Sequence, residues 1–304
     1  MPIGPLMRPA LCATVAVLAA LTLAACGGSS APIPQPSAAV GVGAGVLTRA
    51  ADASSAAKGY RFVMAMTETL PQGAITATGM GAFNRSPAFD QVNMTMNVPG
   101  LSTPLHIFET IDHGVLYMKL PASLLAQLPS AAARRLFGDK QWMALSFNQI
   151  GKAEGIPGLG SLLSDGSSTT NPASSLAALK HVADVTRVGQ QTLLGVQTTV
   201  YRARVSLAAA FRALPGHTND QAFLAFMRRK DETLSTSPEE VWIDGAGLVR
   251  RTTQAMTITV QGQAIKIDIQ MDMLAYGPQP APTIPSPSET FNLSRLITSH
   301  LGGL

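Results

Sequence analysis

The strongest structural constraint in this sequence is a strict alternation of apolar and polar residues over positions 265–273, IKIDIQMDM. The apolar members are Ile265, Ile267, Ile269, Met271 and Met273, and the polar members are Lys266, Asp268, Gln270 and Asp272. Successive side chains of a strand point to opposite faces of a sheet. The pattern therefore predicts a strand with one face in water and one apolar face, which the rest of the chain has to cover.

Similar strand-like segments recur along the chain and are separated by turn signals such as Pro71-Gln72-Gly73 and Pro99-Gly100. We predict strands at 60–69, 74–84, 88–98, 105–111, 115–120, 141–147, 197–207, 241–244, 248–260 and 264–276. Helices are predicted at 46–59, 122–138, 175–185 and 222–234. Short strands at regular spacing favour an antiparallel sheet. The chain is thus predicted to be an α+β domain whose helices lie in the connections and cover one sheet face.

A methionine at every second position recurs in three of these predicted strands. Methionine is flexible and is over-used on surfaces that accept varied apolar partners. The alternation fits an ordinary packed core and the wall of a ligand cavity equally well. We expect the following residues to line the helix-facing side of the sheet: Met64, Met66, Met94, Met96, Ile267, Ile269, Met271 and Met273.

The N-terminal region carries an export signal. An uncharged apolar run follows Arg8 and stops at Cys26, where Gly27-Gly28-Ser29-Ser30 begins. It is shorter than the about 20 residues that span a bilayer, and its basic start and small-residue end are typical of a secretory signal peptide. Leu23-Ala24-Ala25-Cys26 resembles the lipobox of bacterial lipoproteins, which implies cleavage before Cys26 and lipid on its sulfur and new amino group. A plain signal peptide or an uncleaved anchor is the alternative.

These signals divide the chain into a signal peptide (1–25), a lipidated N-terminus with a Gly/Ser/Pro/Ala-rich flexible tether (26–45), a folded domain (46–290) and a C-terminal tail (291–304). The tether is predicted to be disordered. Within the domain, residues 150–175 form a long Gly/Ser-rich segment. Loops of this length are either functional or disordered, and we expect a mobile lid beside the presumed cavity.

Composition excludes several classes of function. Cys12 leaves with the signal and Cys26 carries lipid, so the mature domain has no thiol for a disulfide, a cysteine nucleophile or a Cys-ligated metal. The formal charge of +4 is dispersed, and without a basic stripe no nucleic-acid partner is expected. Charged residues make up 13%, about half of the usual ~25%. Such a chain has a large core or exposes apolar surface.

No catalytic, metal or cofactor site is predicted. The sequence has no GxSxG, HExxH or P-loop motif. His106, Glu109, Asp112 and His113 are the tightest group of potential ligands, but His106 and Glu109 fall on opposite strand faces. Asp112-His113-Gly114 is better explained as a hairpin turn, and so is Asp244 beside Gly245.

Several motifs, taken in order, resemble the actinobacterial lipoproteins of the LppX and LprG type within the wider LolA-like group. They are the lipobox, VLYMKL (115–120), Gln141-Trp142, and the stretches 188–205, 241–251 and 275–282. The most specific parts are Gly195 with Thr198, Thr199 and Tyr201, and then Trp242 with Asp244 and Gly247.

The resemblance implies an open antiparallel half-barrel with helices across its concave side and an apolar cavity that holds acyl chains. Relatives carry or present lipids and lipoglycans in the cell envelope, whereas other LolA-like proteins sense envelope stress and regulate a membrane partner. The leading hypothesis is a lipid-binding protein, anchored through Cys26 to the extracytoplasmic face of the cell membrane. The alternative is an interaction module that regulates an envelope protein without carrying cargo. An enzyme is not predicted.

Overall fold

The computed structural model describes residues 40–41, 43–71, 73–85, 88–121, 137–146, 148–149, 176, 179–205, 233–234, 237–260 and 263–294. The predicted signal peptide, Cys26 and most of the tether lie outside these residues. So do the predicted loop at 150–175 and nearly all of the predicted helices at 122–138 and 222–234.

The described residues form one open sheet of fourteen strands. The strands are β1 (Val40–Gly41), β2 (Gly59–Leu70), β3 (Gly73–Arg85), β4 (Ala88–Asn97), β5 (Leu105–Asp112), β6 (Val115–Lys119), β7 (Trp142–Ser146), β8 (Val182–Leu193), β9 (Val196–Val205), β10 (Thr233–Leu234), β11 (Ser237–Asp244), β12 (Val249–Val260), β13 (Gln263–Tyr276) and β14 (Thr290–Asn292). Their order is β1-β8-β9-β11-β12-β13-β2-β3-β4-β5-β6-β7-β14, and β10 pairs with β12. All pairings are antiparallel except the parallel pair β7–β14. The predicted antiparallel sheet is therefore confirmed.

One face of this sheet carries the main core and is called the core face below. It includes Phe62, Met64 and Met66 of β2 together with the residues that pair with them across the neighbouring strands. Helix α1 (Gly45–Ser55) packs Leu47, Ala50 and Ala51 into this core. The hydroxyl of Ser54 accepts a hydrogen bond of 2.9 Å from the backbone N–H of Val249, which fixes α1 to β12.

Cover of the core face by the predicted helices at 122–138, 175–185 and 222–234 is not confirmed. Helix α1 is the one α-helix of more than a single turn among the described residues, and it covers the region near β12. The prediction of a helix at 175–185 is wrong over its second half. Residues 179–181 form one 3-10 turn, and Val182 then begins β8, which pairs antiparallel with β9. Hydrogen bonding along β9 outweighs the local helical preference of this short segment.

The sheet also takes in residues at both ends of the predicted domain. Val40–Gly41 of the predicted tether pairs with Thr186 and Arg187 of β8. Thr290–Asn292, where the tail was predicted to begin, pairs with β7. These are the two edge strands of the sheet, and their short length is typical of sheet edges.

The prediction that the polar face of β13 meets water is wrong for its two aspartates. Asp268 and Asp272 are only 7% and 6% exposed, whereas Lys266 is exposed. The guanidinium of Arg251 on β12 binds both carboxylate oxygens of Asp272, and Lys266 Nζ lies 2.8 Å from Asp268 Oδ2. Long side chains from β12 and β13 itself thus cover these carboxylates, and charge pairing makes their burial tolerable.

Candidate functional site

The core face brings the residues of the predicted cavity wall into cross-strand rows. Met271 pairs with Met64, and the row continues through Gly79 to Met94. The next row joins Ile269 to Met66 and runs through Ala77 to Met96. All eight residues predicted to line the helix-facing side are buried, and they share this face. Their role as a ligand wall stays a prediction.

Two glycines of β3 leave room for the side chains of Phe62 and Met94 on the core face. A Cβ on Gly81 would stand 2.3 Å from Cζ of Phe62, and a Cβ on Gly79 would stand 2.8 Å from Cγ of Met94. Real Cβ atoms do not approach other atoms so closely. The ring of Phe62 and the side chain of Met94 therefore fill the space that side chains at Gly81 and Gly79 would otherwise take.

The methionine surface is wider than the sequence pattern indicated. Met118 of β6, Met143 of β7 and Met256 of β12 are also buried in the same core. Nine of the thirteen methionines of the chain thus belong to one buried surface across the sheet. Met80, on the opposite face of β3, is 54% exposed.

A polar pair interrupts this apolar face between β11 and β12. Glu239 lies directly opposite Gln254, and Ala203 of β9 lies on its other side. The two polar residues are 1% and 2% exposed. Among the described residues, neither carboxyl oxygen of Glu239 nor the side-chain nitrogen or oxygen of Gln254 has a hydrogen-bond partner. Burial raises the pKa of Glu239 to about 8 because the charged form is desolvated.

Further carboxyl groups lie on the core face of β2, β4 and β5. Burial raises the pKa of Glu109 to about 7, and the nearby charge of Asp90 adds to this rise. Burial also raises the pKa of Glu68. Glu68 faces Ile267 on one side and Ile75 on the other, so its carboxyl group lies among aliphatic side chains. The core face is therefore apolar but holds several carboxyl groups that are hard to ionise.

Sequence reasoning missed Glu239 and Gln254. A signal was present, because Glu239 is in phase with the buried Val241 and Ile243, and Gln254 is in phase with the buried Met256. Alternation within each strand places each of the two residues on the core face. Only the register of β11 against β12 shows that the two lie side by side.

The structure places the small groups of polar residues named from the sequence on a strand pair and in two turns. His106 and Glu109 point to opposite faces, and the ring of His106 contacts the hydroxyl of Thr95 at 3.1 Å. His113 and Gly114 have positive φ and form the β5–β6 turn. Asp244 accepts hydrogen bonds from the backbone N–H groups of Ala246 and Leu248 and thus serves the turn. Within the described ranges, no three His, Cys, Asp or Glu residues are grouped to hold a metal ion.

A separate small cluster lies on the outer face of the sheet. Trp242 packs with Val188, Leu193 and Val200, and its indole N–H donates a 2.7 Å hydrogen bond to Gln191. The guanidinium of Arg251 lies 5.6 Å from the ring centre of Trp242. This second core accounts for the buried tryptophan of the sequence motif by packing alone.

Several solved structures are similar to this chain. Lipoprotein LppX of Mycobacterium tuberculosis is 13% identical with a TM-score of 0.43, and the match covers 79% of this chain and 97% of that chain. LprF of Mycobacterium bovis is 15% identical with a TM-score of 0.40, over 80% of this chain and 96% of that chain. The MucA/MucB complex of Pseudomonas aeruginosa is 13% identical with a TM-score of 0.28, over 78% of this chain and 58% of that chain.

LppX, one of the two lipoproteins named from the sequence motifs, is thus among the structures that this chain resembles. No protein-family model and no curated protein matches the sequence. Identities and TM-scores this low carry no information on ligand or partner. In the part of the chain that the structure describes, no helix is both long and apolar enough to cross a membrane.

Proposed function

We propose that this chain is an envelope lipoprotein that binds a lipid or another hydrophobic ligand against the core face of its sheet. The observation that carries this proposal is the joining of nine buried methionines into one surface. Sheet cores more often use β-branched and aromatic residues, which are stiff and fix one packing arrangement. Thioether side chains adapt their shape at low cost, which suits a surface that has to fit varied alkyl chains.

The anchor belongs to the same proposal. Cleavage before Cys26 removes the signal peptide (1–25), and acyl chains such as palmitate on Cys26 hold the protein on the extracytoplasmic face of the cell membrane. More than one chain is needed for stable anchoring. Residues 27–39 then act as the tether, and a flexible segment of this length has an end-to-end distance of roughly 20 Å. The domain is thereby kept close enough to the bilayer to exchange lipid with it.

Lipid extraction from the purified protein tests the proposal. Full-length protein should carry co-purified lipid that native mass spectrometry detects as added mass. Met271→Asp places a carboxylate in the Met271–Met64 row and should reduce the bound lipid at least about tenfold, because burying a charge in an apolar site is costly. Met80→Asp is the matched control, since the exposed Met80 is on the opposite face.

The result also separates the two hypotheses of function. If the wild-type protein carries no lipid and binds no alkyl probe, the carrier function is refuted and the interaction module that regulates an envelope partner takes its place. Equal lipid content in Met271→Asp, Met80→Asp and wild-type protein would show that the lipid binds elsewhere.

A further inference from the structure

Glu239 and Gln254 are the least satisfied polar side chains on the core face. Both are almost completely buried, and four of their side-chain atoms have no hydrogen-bond partner among the described residues. Buried polar groups are nearly always hydrogen-bonded in native structures, and each exception calls for a physical reason. The two groups lie on directly opposite positions but do not bond to each other.

Three arginines near this pair are engaged elsewhere, and a fourth, Arg204 of β9, is exposed opposite Pro238. Three arginines of β9 and β12 point to the outer face or the turn and bind other carboxylates there. The pairs are Arg202 with Glu240, Arg250 with Asp244, and Arg251 with Asp272. The direct neighbours of Glu239 on the core face are the uncharged Ala203 and Gln254. No cation of the described residues forms an ion pair with Glu239.

The polar pair is continuous with the methionine surface. Gln254 lies opposite Ile269 of β13, and Ile269 in turn lies opposite Met66 of β2. One row of the core face therefore runs from Glu239 through Gln254 into the apolar surface proposed to hold alkyl chains. A molecule lying along this row would contact hydrogen-bonding side chains at one end and apolar side chains at the other.

We propose that Glu239 and Gln254 form a hydrogen-bonding subsite for the uncharged, hydroxyl-bearing end of a long-chain lipid, whose hydrocarbon lies along the methionine rows. This inference rests on the proposed function and adds the chemical class of the ligand's polar end. A monoacylglycerol or a long-chain alcohol has the required chemistry.

The donor and acceptor chemistry of the pair fits a neutral hydroxyl. With its pKa raised to about 8, Glu239 is mainly protonated at neutral pH, so it offers one O–H donor and acceptor oxygens. The amide of Gln254 offers two N–H donors and one acceptor oxygen. A hydroxyl group donates one hydrogen bond and accepts up to two, so a single hydroxyl can bond to both residues. A charged headgroup would need its own counter-ion here, because desolvating an ion is costly.

Competition binding tests the subsite. The full chain carrying Cys26→Ser, which removes its own acyl groups, is loaded with a polarity-sensitive naphthylamine fluorophore. Hexadecanol, palmitate and hexadecylamine, which share one chain length, then displace it. Wild-type protein should bind hexadecanol about tenfold more tightly than palmitate or the amine, the ratio expected from one or two buried hydrogen bonds.

Three variants assign this preference to the pair. The double variant Glu239→Leu, Gln254→Leu should still bind the fluorophore but should lose the preference for the alcohol. Glu239→Gln keeps donors and acceptors and should keep the preference. Thr252→Val, which removes a polar atom from the same strand and face as Gln254, is the matched control and should also keep it. Circular dichroism spectra show that each variant is folded.

The outcomes separate this inference from the proposed function. If the double variant keeps the preference for hexadecanol, or if wild-type protein binds palmitate or the amine as tightly as hexadecanol, the neutral subsite is wrong while lipid binding stands. If wild-type protein binds neither the fluorophore nor any alkyl competitor, the proposed function fails and the subsite fails with it.

Discussion

Removal of the carboxyl group at position 239 should make the stability of this protein much less dependent on pH. Glu239→Gln keeps the size and shape of the side chain but cannot ionise. The folded-state pKa of Glu239 is raised from 4.5 to about 8, and burial is the cause. Between these two values the folded state holds a proton that the unfolded state has lost.

The sign of the effect follows from this difference in bound protons. Stability falls with rising pH wherever the folded state binds more protons than the unfolded state. For Glu239 the favourable contribution is complete below about pH 4.5 and is lost as the pH rises through about 8. A difference of about 3.5 pKa units corresponds to about 5 kcal/mol, of which about 4 kcal/mol falls between about pH 5 and about pH 9. The whole stability of a domain is typically about 5–15 kcal/mol, so the loss is large.

Urea unfolding of the full chain at a series of pH values measures this contribution, with Trp142 and Trp242 as fluorescent reporters. Wild-type protein should lose about 4 kcal/mol of unfolding free energy from about pH 5 to about pH 9 through Glu239, and Glu239→Gln should recover that loss. Parallel curves of stability against pH for the two proteins would refute the reasoning, since Glu239 would then ionise as easily folded as unfolded.

Glu109→Gln provides a matched comparison at a second buried carboxyl group. The pKa of Glu109 is raised from 4.5 to about 7, first by burial and then by the charge of Asp90. Its contribution should therefore be smaller, about 3 kcal/mol, and should be lost at lower pH. If Glu109→Gln recovered more unfolding free energy at high pH than Glu239→Gln, the order predicted from burial would be wrong.

Three further changes test other parts of the structure. Cys26→Ala should leave an unlipidated precursor, seen by fatty-acid labelling and detergent partition; normal labelling would disprove the lipobox. Gly81→Ala should cost about 2–3 kcal/mol in thermal or urea unfolding, because its Cβ would meet the ring of Phe62; unchanged stability would show that the ring moves freely. Asp272→Ala should cost about 3 kcal/mol in urea unfolding, because it leaves the guanidinium of Arg251 without its partner. Unchanged stability of Asp272→Ala would show that Asp272 is solvated, as the sequence alone predicts.

Alternation within single strands was sufficient to assign the apolar face of β13 and the methionine pairs to one side of the sheet. This information is local, because the period of two is a property of the extended backbone. Turn chemistry is local in the same way, so the turns at Asp112 and Asp244 could also be read from the sequence. The predicted export signal and the predicted lipidation of Cys26 depend on residue order along the chain and need no fold.

Contacts between neighbouring strands determine which polar side chains are buried and which residues lie side by side. Asp272 looks solvated in its own strand and becomes buried because Arg251 reaches it from β12. Residues 182–185 look helical and become strand because β9 pairs with Val182 and Ala183 and, after an irregularity at 184–185, again with Thr186. Glu239 and Gln254 are 15 residues apart along the chain, and only the β11–β12 register puts them side by side on a buried face. Burial and pairing are set by residues distant in sequence, so no single-strand pattern contains them.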